Sequence, residues 1–276
     1  MPPCSSVPGM MSRPVAAILL LLAACSGGES ETGKAGPAAD NAAPASGSPA
    51  ARAAAPSKAR LVEEKLEFLE FTYGWPAEAT AIPRLASLLE ADMAAQRKEA
   101  LSGAREDREA RGGDAPYPGH YLSKVWQMSG QTTRLLSLVA EVGSFTGGAH
   151  GNAAYEALLW DRQANARIET GALFTDPAAA YRAITAPYCK ELDRQRAEKR
   201  QEGDAPEAGD WTTQCPALAE QVLVPTDGNK DGRFELLRVI IGPYGAGPYS
   251  EGSYEIDLPV TDPLRKLIKP DYAGAF

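Results

Sequence analysis

From residue 59 onward, apolar residues fall into short alternating or continuous runs, interrupted twice by long stretches with helical spacing. Leu66 to Tyr73 is rich in Phe, Leu and Tyr, is closed by Gly74-Trp75-Pro76, and predicts a strand. From Ile82 to about Arg111, Leu85, Leu88, Leu89 and Met93 recur at helical spacing, charges dominate the second half, and Gly112-Gly113 supplies a stop. Three strands are expected near Tyr121 to Met128, Arg134 to Val142 and Ala154 to Trp160. A second helix over Ala178 to about Arg200 carries Tyr181, Ile184, Tyr188 and Leu192 on one face, and Pro187 should kink or interrupt it. A short helix near Cys215 to Ala219, strands at Gln221 to Val224, Phe234 to Ile241 and Tyr254 to Val260, and a helix at Pro263 to Ile268 complete the pattern. Strands in consecutive runs with helices between them predict an α+β fold, mainly antiparallel sheet with helices packed on it.

The N-terminal part follows another logic. The apolar run Val15 to Leu22 is too short for a permanent membrane span and follows Arg13, the layout of an export signal. It ends in Leu22-Ala23-Ala24-Cys25, which resembles a bacterial lipobox. That resemblance implies a signal peptide over 1–24 and acyl chains, such as palmitate, on Cys25. Starting at Met10 or Met11 would give the ordinary short basic leader and leave Cys4 outside the protein. Residues 26–58, nearly all Ala, Gly, Ser and Pro, have no hydrophobic period and read as a disordered tether with an r.m.s. reach of roughly 30 Å. Residues 25–58 would thus join an anchor to a globular region over 59–276. The expected location is the cell envelope, lipid-anchored and facing the periplasm, at the outer membrane more than the inner.

The net charge of −8 argues against a nucleic-acid partner and leaves the acyl chains as the membrane contact. The basic cluster Lys190, Arg194, Arg196, Lys199 and Arg200 is interleaved with Glu191, Asp193 and Glu198, and reads as a solvated helix face. With Cys25 acylated, Cys189 and Cys215 remain as an even pair in an oxidising compartment. A disulfide is the economical reading, and two unpaired buried thiols the alternative.

Three segments carry candidate chemistry. Phe145-Thr146-Gly147-Gly148-Ala149-His150-Gly151-Asn152 sets a histidine among three glycines: a ligand or proton carrier on a permissive backbone, or a tight turn with His150 packed in place. Asp227, Asn229 and Asp231 match the first half of a calcium loop. Arg238 stands where a bidentate Glu is wanted, so a polar hairpin turn is the alternative, and no other cofactor is suggested. Pro243 to Tyr254 holds Tyr244, Tyr249, Glu251 and Tyr254 among glycines, which suits a carbohydrate or peptide platform or the cover of a sheet edge. No sequence pattern for a serine, cysteine or zinc hydrolase is present, and no catalytic residue is assigned.

The His-Gly motif, Thr170-Gly171-Ala172-Leu173-Phe174, Ile241-Gly242-Pro243-Tyr244, Ala246-Gly247-Pro248 and Tyr254-Glu255-Ile256 follow one another in an order that resembles an envelope domain of unknown function. This domain forms the extracellular part of the anti-sigma factor RsiV and the non-catalytic N-terminal region of the deacetylase PdaC. The resemblance spans about residues 60 to 262, PdaC-type over about 60–165 and RsiV C-terminal-type over about 166–262. It implies an extracytoplasmic α+β module. Neither a sigma-binding segment nor a carbohydrate-esterase domain is legible, so regulation and hydrolysis are not expected to transfer. The expected function is non-catalytic binding of an envelope component, peptidoglycan or a protein. The alternative is an envelope hydrolase, or an inhibitor of one, acting through the His150 loop.

Overall fold

Alternating inward and outward side chains lay down six strands in one sheet, in the order β1 (Arg60–Lys65), β2 (Leu69–Trp75), β3 (His120–Gln131), β4 (Leu135–Phe145), β5 (Asn152–Asp161) and β6 (Ala166–Ile168). The computed structural model describes residues 57–112, 117–200 and 209–276. The apolar run Val15 to Leu22, Cys25 and the tether up to residue 56 lie outside the described residues. Every neighbouring pair in this sheet is antiparallel except β2 with β3, whose parallel register requires a crossover. The crossover is made by α1 (Ala77–Thr80) and the long helix α2 (Pro83–Arg111). A second, three-stranded antiparallel sheet follows: β7 (Val222–Thr226), β8 (Leu236–Ile241) and β9 (Tyr254–Pro259). Helix α3 (Pro177–Lys199) precedes it and α4 (Asp262–Arg265) follows it. The fold is α+β with mainly antiparallel sheet, as the pattern predicts.

Two cores lie on opposite faces of the first sheet. Leu136, Leu138, Leu158 and Trp160 meet Leu85 and Leu89 of α2, whereas Leu135 and Leu159, one residue out of phase, join the core built on α3 and the second sheet. Strand β7 packs across β3, β4 and β5, and Ser129 and Thr226 hydroxyls bond at 2.7 Å between the two sheets.

Several elements differ from the sequence expectation. β1 is an edge strand with mostly exposed positions, too polar to register as a strand. β6 has only three residues. Pro187 does not interrupt α3: it lies on the exposed face, where water can reach the carbonyl whose usual donor it lacks. The segment after Cys215 forms a single 3-10 turn, Leu218–Glu220, in place of an α-helix.

Candidate functional site

One end of the six-stranded sheet gathers the start of β3, the end of β4 and the start of β5, because Tyr121 pairs with Phe145 and Ser144 with Asn152. The connection between β4 and β5 is the glycine loop. Gly147 and Gly148 adopt φ of 101° and 105°, a backbone region closed to most side chains, so the two glycines make the turn possible. His150, exposed at its end, has Nδ1 2.8 Å from the Gly151 carbonyl oxygen. A carbonyl only accepts, so Nδ1 carries the hydrogen in this contact.

The tyrosine segment comes to the same place. The Tyr249 ring stacks on His150 with centroids 3.9 Å apart and planes 20° from parallel, and its hydroxyl donates to the Gly151 carbonyl at 2.8 Å. Tyr244 packs on Tyr249 at 5.5 Å, and its hydroxyl lies 3.5 Å from His150 Nε2. Tyr244 is 55% exposed and holds φ of 66°, an uncommon conformation for a bulky residue, so the loop presents this ring to solvent at some backbone strain. Residues 94 positions apart thus form one aromatic patch.

Not every expected residue belongs to it. Tyr254 is buried, with Lys199 Nζ 3.9 Å from its ring centroid, and its hydroxyl donates to Glu251. Glu251 in turn binds Arg200 through Nε at 2.7 Å and Nη2 at 3.2 Å. Both residues are internal supports of the loop and present no side chain to the patch. Burial works against the Glu251 carboxylate, but hydrogen bonds from Arg200 and Tyr254 outweigh it and hold it below its ordinary range. Burial, reinforced by Glu251, pushes the Tyr254 phenol up to about 12. Thr146 lines a cleft between α2 and the sheet, and Asn152 stands exposed at the first position of β5.

The basic cluster of α3 also departs from expectation. Lys190 and Arg194 face solvent as predicted, but Arg196 is 3% exposed. Its guanidinium donates to the carbonyls of Ala246, at 2.8 and 3.0 Å, and of Gln214, at 2.7 Å. Lys199 donates to the carbonyls of Glu251 and Ser253. The end of α3 therefore clamps the tyrosine segment. Cys189 and Cys215 are bonded, with Cα atoms 5.5 Å apart, and tie α3 to the strand of chain that supplies the Gln214 and Thr212 carbonyls.

Two further polar clusters lie on the α2 side of the first sheet. Buried His120 places Nε2 3.2 Å from Asp107, which Arg111 also engages, at 2.9 and 3.0 Å. The Arg111 hydrogen bond is the main reason that Asp107 is held below the ordinary carboxylate range. Lys124, 2% exposed, bonds Asp92 at 2.9 Å and Glu156 at 2.8 Å, and Tyr73 donates to Asp92 at 2.5 Å. Burial works against the Asp92 carboxylate, yet these donors outweigh it and lower its pKa. Sequence reasoning missed this network, although Lys124 stands between Leu122 and Trp126 in the inward phase of β3.

In the loop between β7 and β8, Asp227 accepts from the Asp231 and Gly232 backbone, Asn229 from Asp231, and Asp231 from Arg233. Its side chains cap the loop's own backbone as in a polar hairpin turn. Among the described residues, no three His, Cys, Asp or Glu side chains converge as a metal cage.

A family model described as deacetylase PdaC matches residues 62–153, from β1 to the start of β5, and so includes the His150 loop but not the tyrosine segment. No curated protein matches the chain. A DUF3298 family protein from Bacteroides fragilis NCTC 9343 is similar at 16% identity and a TM-score of 0.51, over 79% of this chain and 95% of its own. A DUF3298 family protein from Pseudomonas aeruginosa PAO1 aligns at 16% identity and 0.49, over 79% and 96%. At such identity the Bacteroides likeness is one of fold.

Proposed function

We propose that residues 59–276 are a non-catalytic binding module for a component of the cell envelope, glycan or protein, joined by the tether 26–58 to acyl chains on Cys25. The observation that carries this reading is the convergence of His150, Tyr244 and Tyr249 on one exposed patch, with α3 holding the loop beneath it. Stacked rings with polar tips give flat apolar area and hydrogen-bonding edges together, the combination a recognition surface needs. His150 Nδ1 is oriented by a backbone carbonyl and not by a carboxylate, which suits a ring that packs and binds better than one that cycles a proton. The match to a model named for a deacetylase ends at residue 153 and brings no activity with it.

Binding is tested by incubating the full-length protein with purified peptidoglycan sacculi and with periplasmic extract, any extract partner being identified and re-bound in pure form. Capture that Tyr249→Ala abolishes, in a variant with wild-type circular dichroism, supports the patch. Equal capture by both proteins, or capture from neither source, refutes it. For the anchor, Cys25→Ser should move the protein to the soluble fraction with an unchanged unfolding midpoint. Retention on membranes after a salt wash would overturn the lipid attachment.

A further inference from the structure

The exposed rings do not stop at the His150 patch. Tyr121 alternates with Leu122, which faces α2, so its ring lies on the opposite face of the first sheet, 39% exposed. It stacks with its cross-strand partner Phe145, centroids 6.1 Å apart and planes 12° from parallel. A single residue joins this pair to the patch. Gly151 gives its carbonyl to His150 and Tyr249, while a methyl group in place of its hydrogen would come 2.1 Å from the Tyr121 hydroxyl. Beyond Tyr121 and Phe145 opens a cleft of about 540 Å³ that Phe68 and Tyr117 also line, within the range of small-molecule sites.

We propose that these two aromatic clusters are successive subsites for one linear glycan, which crosses Gly151 from the His150 patch and continues over Tyr121 and Phe145 into the cleft. This rests on the reading of the patch as a binding site and names its ligand class. The rings are His, Tyr and Phe, stacked in pairs, with Tyr121, Tyr244 and His150 exposed and the tyrosines carrying hydroxyls at their tips. A pyranose offers the matching surface, a C–H face ringed by hydroxyls. A neutral sugar backbone also avoids the repulsion that a chain of net charge −8 exerts on polyanions.

Two subsites in series make affinity depend on length. Titration of the full-length protein with β-1,4-linked N-acetylglucosamine oligomers, from disaccharide to hexasaccharide, should tighten binding about tenfold once both clusters are spanned. Tyr121→Ala should erase that gain, so that the hexasaccharide binds no more tightly than the disaccharide, Tyr121→Phe should keep it, and Tyr249→Ala should weaken every length. Circular dichroism and the unfolding midpoint show that each variant is folded. Affinity independent of length, or a hexasaccharide bound equally by wild type and Tyr121→Ala, overturns the track and leaves the patch standing. Binding of no oligomer by a protein that captures a defined envelope protein through Tyr249 overturns the glycan and leaves the binding-module reading intact. Failure of Tyr249→Ala to change any capture defeats both.

Discussion

Replacing Glu251 by glutamine removes one charge from beneath the tyrosine segment and leaves the shape almost unchanged. In the native protein one carboxylate oxygen accepts from Arg200 Nε at 2.7 Å, and the other accepts from Arg200 Nη2 at 3.2 Å and from the Tyr254 hydroxyl. Whichever oxygen becomes the amide nitrogen, a donor then faces a donor. The side chains of Arg200 and Glu251 are 14% and 9% exposed, so the pair is shielded but reaches the solvent edge. Breaking a fully buried pair costs roughly 3–5 kcal/mol; allowing for solvent at the rim and for the contacts glutamine keeps, about 2 kcal/mol is expected here. For a unit of this size that lowers the midpoint of thermal unfolding by about 4–8 °C. Because Arg200 and Tyr254 hold the carboxylate below its ordinary range, the native contribution is full above the unfolded-chain value and is lost as pH falls through the lower folded value. The gap between wild type and Glu251→Gln, followed by circular dichroism, should therefore be largest near neutrality and close in acid, where a protonated glutamate resembles glutamine. An unchanged midpoint at neutral pH, or a gap that widens on acidification, would refute the assignment of Glu251 as the charged support of this loop.

Gly151→Ala places a methyl 2.1 Å from the Tyr121 hydroxyl and 3.2 Å from the Ser144 carbonyl oxygen, so it should cost about 1–3 kcal/mol in overpacking and displace the Tyr121 ring. Thermal unfolding measures the first effect and capture of sacculi the second; a variant as stable and as binding-competent as wild type would contradict the close approach. Reduction of the Cys189–Cys215 bond, whose ends are 26 residues apart, should remove roughly 3.5 kcal/mol by the chain-entropy estimate. The midpoint in reductant should then fall by about 7–14 °C, and two alkylatable thiols in the unreduced protein would disprove the bond.

The elements with strong local periodicity were legible. Helix α2 follows the Leu85, Leu88, Leu89 and Met93 spacing to within a residue or two at each end, and the strands of the second sheet start and stop near their apolar runs. What periodicity could not reveal is stabilised by partners distant in sequence. β1 is held by its ladder to β2 and carries little apolar alternation of its own, while β6 is a three-residue addition to the edge of β5. The parallel pairing of β2 with β3 follows from the crossover through α2, which strand composition does not encode.

The candidate site divides along the same line. Its glycine loop and its tyrosines were visible as local composition, but their meeting depends on how the second sheet packs on the first, so the sequence left both a turn and a platform open. Charge composition misled at the end of α3, where a run of mixed charges looked uniformly solvated. The stripe Ala180, Ile184, Tyr188 and Leu192 is buried at every fourth residue, and Arg196 is the next position in it. A cation that continues a buried apolar stripe must leave water, and it can remain there only with acceptors around it. For Arg196 these are the Ala246 and Gln214 carbonyls and Asp193, and Lys124, in the inward phase of β3, meets the same demand through Asp92 and Glu156. Charge placed in register with an apolar period therefore locates internal cross-links between segments, and at Arg196 the linked segment is the one that carries Tyr244 and Tyr249.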